Sequence, residues 1–580
     1  MVLATFIVGA AFYLNILWKP YLSQHIKDAV SASTDSLYSI SFEKLNVNVI
    51  TGNATLAKLI FKPDTVVYNK LLRNGKAPKH LFNIEIDLLK LSHIHPFKVY
   101  FERKLDIKSL IIQKPRIRMI FQNSRKRNSL ETEKHTAYQR LSKYLKAIKI
   151  DNISLREVNF QYIDNSRKTD ELRNIKNLDI EISGLRIDSA SQYDKVKLYY
   201  AEDITVKLTD YLYRTRNGMY DIEIKEFIAS TKNHDAKIKG LNIIPRFSES
   251  QFSRKLKKRA ERYSLRLNEV FLQDINFTAF NSERRFVAGK LTISNSNLDV
   301  FLNKETPRMP KDFTLSFPSK ALSSLKLETS IDSVFFKDLR ISYSEYSAQS
   351  QQKGQIFFDH IEGSITNLTN DTALKAKNNF SKIALTGLLM GRGRVNVQIN
   401  FNLVDPKYAY MLNADVGNIN APLLNRIIRP LALIEIRNGS IKQMKVALSG
   451  NVTGASGSLY LKYNDLKVTL LSKEEDDLRL KKMSIASMAA NVLILKDANP
   501  SVGQDLRIAK IKFIRTDTTS FVNMNWKAIL GGIKESVGLD ARTQQQVRAK
   551  LQKLKVEKAD RAERREIRLK RRDNRREKNR

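Results

Sequence analysis

The chain has 580 residues, 42% of them hydrophobic, and its 100 Lys/Arg against 60 Asp/Glu give a formal charge of +40. It contains no cysteine, which excludes disulfides, thiolate metal sites and a cysteine nucleophile. Much of the positive charge alternates with apolar residues, as in Arg116-Ile117-Arg118-Met119 and Lys237-Ile238-Lys239, which is the pattern of a sheet with one wet face rather than of a concentrated nucleic-acid footprint.

Val2 to Trp18 is an uncharged apolar run closed by Lys19-Pro20. As a helix it would span about 26 Å, close to the ~30 Å hydrocarbon core of a bilayer, with Trp18 and Tyr21 at headgroup level. It lacks the basic flank and the small-residue cleavage site of a signal peptide, so the expectation is an uncleaved anchor. An amphipathic stretch follows to about Ser36 and reads as a short helix. From Ser39 to Phe61 the residues alternate, with Leu45, Val47 and Val49 on one face, as in a strand.

A seven-position apolar spacing then recurs five times, at 0, 2, 5, 7, 10, 12 and 14. Its copies begin at Leu105, Ile148, Leu265, Thr329 and Ile434. The second copy is Ile148, Ile150, Ile153, Leu155, Val158, Phe160, Tyr162. Steps of two are strand alternation, and each step of three slips the phase, as a turn or bulge does. Each copy is therefore expected as three short strands separated by corners. Helical inserts are expected at about 129–147 and 248–263. A third short helix is expected at 421–430, with Asn420 as N-cap and Pro422 at its second position. So few helices cannot cover the apolar face of so many strands. Either two sheets pack as a sandwich, or the sheet curls and its inside holds something apolar.

Phe521, Trp526, Ile529, Leu530 and Ile533 form a compact helical segment containing Gly531-Gly532. The tail from 541 to 580 carries 17 Lys/Arg against 6 Asp/Glu, hence +11, with interspersed glutamates that suit a solvated helix. No zinc-finger spacing, Walker loop, aromatic RNP motif, nucleophile elbow or zinc-protease helix occurs. His93 and His95 lack a third ligand, and Gly391 and Gly393 lead into a strand rather than a phosphate loop. Neither enzymatic activity nor a cofactor is expected.

The anchor, the run LDIKSLIIQKPRIRMIF from Leu105, the segments ISYSEY and FFDHIEGSITNLTND, the glycine-punctuated run Ile434 to Leu471 and the closing SFVNMNWKAILGGIKE together resemble the AsmA-like family. That resemblance implies an inner-membrane anchor and a large periplasmic body. It also implies kinship with repeating β-groove lipid-transfer proteins.

The expectation is a mainly β chain, a long curled antiparallel sheet forming an apolar groove. Its parts are an anchor (1–20), an N-terminal β region with a helical insert (21–146), a central groove (147–380), a C-terminal β region (381–515), an apolar helix (516–540) and a basic tail (541–580). Ile117, Met119, Phe160, Tyr162, Phe277, Phe336, Ile341 and Val446 are expected to line the groove and hold phospholipid. Phe521, Trp526, Ile529 and Leu530 are expected to meet a membrane, aided by attraction of the tail to an anionic surface. Two rival readings are a lipid-free sandwich assisting outer-membrane protein assembly and a nucleic-acid binder using the tail.

Overall fold

The computed structural model describes residues 23–538 apart from 25, 49–50, 96–97, 123–137, 140–141, 143–144, 165–170, 194–197, 308–311, 474–479 and 483–495, together with 556 and 560. The anchor segment, most of the 129–147 insert and nearly all of the basic tail lie outside the described residues. Among those described, strand dominates, and the chain forms two compact units. The first comprises Met1–Arg214, Ile222–Asn242 and Asn268–Gly289; the second comprises Thr215–Asp221, Ile243–Leu267 and Lys290–Arg580.

In the first unit the strands are β1 (Tyr38–Ser41), β2 (Lys44–Asn48), β3 (Asn53–Pro63), β4 (His80–Ser92), β5 (Lys104–Gln113), β6 (Arg116–Phe121), β7 (Ala147–Asp164), β8 (Glu171–Ile187) and β9 (Asp203–Arg214). Strands β1 and β2 both pair with β3, which pairs with β4. On its other edge β4 carries β5 and β6 in succession, and these pair in turn with β7. The last contacts are parallel, so the sheet is mixed rather than antiparallel throughout. The chain after Phe121 returns to the starting end of β5 before β7 begins, which leaves β7 running the same way as its neighbour. Antiparallel pairing resumes through β8 to β9.

Strands β10 (Tyr220–Ser230), β11 (Asp235–Pro245), β12 (Glu261–Gln273) and β13 (Arg285–Asn303) contribute residues to both units. The second unit continues with β14 (Glu328–Tyr346), β15 (Lys353–Thr369), β16 (Phe380–Leu389), β17 (Gly393–Asn402), β18 (Tyr410–Val416), β19 (Ile419–Asn420), β20 (Ile434–Asn451), β21 (Gly454–Lys473), β22 (Leu480–Lys482) and β23 (Ile508–Ile514). From β14 to β18 each strand pairs antiparallel with the next; β18 and β19 both pair with β20, which leads through β21 to β23.

In the copies at Ile148 and Thr329 the expected corners are bulges in one long strand, whereas in the copy at Leu105 the second corner, Lys114–Pro115, separates β5 from β6 as expected. Strand β7 runs unbroken through the second copy, its register shifting on either side of Val158. Strand β14 does the same on either side of Leu339. At the second step of three, the residue nine positions into the copy has a left-handed backbone in four copies of five: Lys114, Glu157, Asp274 and Asp338, with φ of 49°, 55°, 56° and 55°. At the first step of the copies at Ile148 and Thr329 the register holds. There the left-handed residue belongs to the partner strand, Gly184 beside β7 and Asn367 beside β14.

Three local expectations need correction. The third strand of the copy at Leu265 is instead the helix Phe277–Ser282: β12 ends at Gln273, and the Asn276 side chain caps the helix by accepting from the Ala279 N–H at 2.8 Å. The 248–263 helix is shorter, Glu249–Leu256; Ser248 and Gln251 form a capping box, and left-handed Lys257 stops it before β12. At 421–430 a 3-10 turn, Ala421–Leu424, precedes the helix Asn425–Ala432, and the Asn420 side chain makes no cap bond.

Candidate apolar binding face

Strand pairing lines up aliphatic side chains in rows that cross many strands. In the first unit one row runs Leu45, Leu56, Leu89, Ile112, Leu155, Ile180, Val206, and a second runs Val47, Ala54, Leu91, Leu110, Ile153, Ile182, Ile204. Beyond the bulges a third runs Ile40, Phe61, Ile84, Ile117, Phe160, Ile175. Ile117 and Phe160 are therefore direct neighbours, and Met119 and Tyr162 are paired in the next row. Leu56, Leu59, Ile86, Leu89, Ile112 and Ile84 belong to one contact cluster, so the rows on both sides of the bulges share a face. No described helical residue belongs to that cluster or to the one around Ile107, Ile150 and Ile153. The helix Thr65–Arg73 packs with Leu81 and Ile120, side chains that alternate with Ile84 and Ile117.

Ile112, Leu155, Ile180, Val206 and Phe160 are half-buried rather than sealed. Away from Leu81 and Ile120, which the helix Thr65–Arg73 covers, the alternate face carries charged pairs. Arg116 bridges Glu85 at 3.1 Å and Asp87 at 3.2 Å, and Lys114 reaches Glu157 at 3.9 Å. At the start of β5, Lys98 lies 2.9 Å from Asp106 and holds that carboxyl below its usual range.

In the second unit a row of eight strands runs Val334, Ile365, Ile383, Ile399, Leu412, Leu448, Gly457, Ile511, and the next runs Phe336, Gly363, Leu385, Val397, Ala414, Val446, Leu459, Ala509. Phe336 and Val446, far apart in sequence, thus share one row. Ile341 lies in a row with Phe358 and Leu389. Phe277, being helical, belongs to none of these rows.

Here the face is partly covered. The helix Asn425–Ala432 buries Ile427 and Pro430, and its Asn425 side chain bonds both backbone groups of Ile436 at 2.8 Å. Ile427 and Leu431 lie against Gly354. The helix Phe521–Ser536, capped by Ser520, turns Phe521, Met524, Ala528 and Gly532 onto Tyr410, Val446, Leu459 and Ile511. Phe521 meets the rings of Tyr410, Phe317 and Phe401 at 4.9, 5.4 and 5.9 Å. Away from these covers Ile383, Leu385, Val397 and Ile399 are half-buried.

The four residues expected at a membrane divide. Phe521 is buried and Ile529 packs against the core, Leu530 is half-buried, and Trp526 is 45% exposed. Val522, 72% exposed and one turn before Trp526, extends the outward strip; its spacing of four from Trp526 is the sequence signal that identifies it.

Polar ties hold the helix in place. Tyr410 donates to Asn525 Oδ1 at 2.7 Å, and burial pushes the Tyr410 phenol up to about 12. The buried Arg515 guanidinium donates to the carbonyls of Thr519, Val452 and Asp517 at 2.7, 2.9 and 3.2 Å and lies over Phe317 at 5.2 Å. Among the described residues no group of three or more His, Asp or Glu gathers as a metal site, and no helix is long and apolar enough to cross a membrane. No protein-family model matches the sequence, and no curated protein matches it.

Proposed function

We propose that the chain is an AsmA-like, membrane-anchored periplasmic protein of the envelope, whose apolar face binds phospholipid acyl chains and passes them between membranes, in support of outer-membrane homeostasis. The observation that carries this reading is the continuity of the aliphatic rows across seven or eight strands, with no described helical residue in the first unit's two clusters on that face. Each buried methylene retains about 0.8 kcal/mol that exposure to water would forfeit, so a dozen correspond to roughly 10 kcal/mol. Headgroups stay at the polar margins. The chemistry is burial and release, with no covalent step.

The test is transfer of a fluorescent phospholipid between vesicles by the purified full chain. Transfer is expected above the spontaneous rate, and Leu155→Asp is expected to reduce it at least tenfold. Arg156→Asp, on the alternate face, controls for charge and folding. Absence of both transfer and co-extracted lipid would overturn the proposal. A second reading, a lipid-free scaffold for outer-membrane protein assembly, draws on the fully buried Met524 of the last helix and Leu459 beneath it.

A further inference from the structure

We infer that the helix Phe521–Ser536 is a displaceable cover over the last strands of the second unit's apolar rows, and that an anionic bilayer surface displaces it. This rests on the lipid-groove reading above. The rows do not end where the cover begins: Leu385 and Val397 are half-buried, while Val446 and Leu459, in the same row, are 2% and 0% exposed beneath the helix. Removing the helix would extend the same apolar surface rather than expose a different one.

The outward side of the helix is built for another contact. Val522, Trp526 and Leu530 succeed one another at single-turn spacing, and Lys527 and Lys534 flank them. An apolar strip with tryptophan at its centre and lysines at its edges suits the boundary between headgroups and acyl chains. The 541–580 segment that follows adds a charge of +11, which selects an anionic surface over a neutral one. Inward, the helix places Phe521 and Met524 beside the small residues Ala528 and Gly532, with a buried polar pair, Tyr410–Asn525. Its end is held through backbone carbonyls, with Arg507 donating to Ser536 O at 3.2 Å. Water can replace these ties, and lipid can replace the apolar contact.

Because the chain has no cysteine, single cysteines report the cover directly. Ala509→Cys places a thiol in the buried cluster that the helix covers, and Val158→Cys places one in a buried position of the first unit. Maleimide labelling of each full-length variant is followed with phosphatidylglycerol-containing vesicles and with neutral vesicles, at low and high salt. Labelling at 509 is expected to accelerate at least tenfold with anionic vesicles at low salt, while 158 stays protected. Adding Val522→Ser and Trp526→Ser is expected to abolish the acceleration. Unchanged labelling at 509, exposure of both sites together, or full acceleration without the Val522/Trp526 strip would each overturn the inference. Acceleration at 509 without any lipid transfer supports the cover and overturns the lipid reading instead.

Discussion

Lys114, Glu157, Asp274 and Asp338 share a backbone conformation that costs an L-residue roughly 1–2 kcal/mol. What they have in common is position: each falls at the second phase slip of its repeat, where an extra residue must be absorbed if Phe160 or Ile341 is to return to the apolar side. The spacing made that slip legible, but not the left-handed geometry, since none of the four is glycine. All four are exposed, and Lys114 pairs with Glu157 and Asp338 with His360 at 2.8 Å; such exposed pairs contribute little. Asp338→Val is therefore expected to lower stability by about 1–2 kcal/mol and Asp338→Gly by much less, as read from denaturant midpoints. Tyr410 gives a pH dependence. Its folded-state value near 12 exceeds the ordinary 10.0 because burial disfavours the phenolate. Between these values the unfolded chain releases the proton first, so stability present below pH 10 declines as pH rises toward 12, by at most about 2–3 kcal/mol. Tyr410→Phe should flatten that alkaline decline while costing about 1–3 kcal/mol at neutral pH through the unpaired Asn525 amide.

The last helix shows how an element can be legible while its orientation is not. Ser520, the apolar content and the length of the segment all indicate a helix. Hydrophobicity alone would turn Trp526 inward, yet the buried side carries Ala528 and Gly532. Close approach decides this, because a Cβ on residue 532 would lie 3.0 Å from Leu459 and Ile511, whereas one on residue 531 meets nothing within 4 Å. Gly531→Ala is accordingly expected to raise the unfolding midpoint, by up to about 1 kcal/mol from helix propensity. Gly532→Ala is expected to lower it through overpacking. The Phe277 correction has the same character. Alternation continues through Ile275, Phe277 and Ala279, but the capping bond from Asn276 outweighs it locally. In the 421–430 segment, Pro422 starts a 3-10 turn, and the side chain with a structural role is Asn425, which secures Ile436, rather than Asn420.

For the molecule as a set of sheets, period-two alternation made the apolar face readable within each repeat. Strands without the repeat supply five of the seven positions in each of the first unit's two longest rows, and those from β4, β8 and β9 became visible only through pairing. The parallel contact of β5 and β6 with β7 was not legible, because it depends on the path of the chain between Phe121 and Ala147. Neither was the partial cover of the second unit, which depends on where two helices fold back. The central claim, that this face holds lipid, makes a prediction with the period of the sheet itself. A photo-crosslinking residue placed in turn at 153, 154, 155, 160, 161 and 162 of β7, in cells, should capture phospholipid at 153, 155, 160 and 162, whose side chains lie in the apolar rows. It should capture none at 154 and 161. Capture at neither set, or equally at both, would contradict the account.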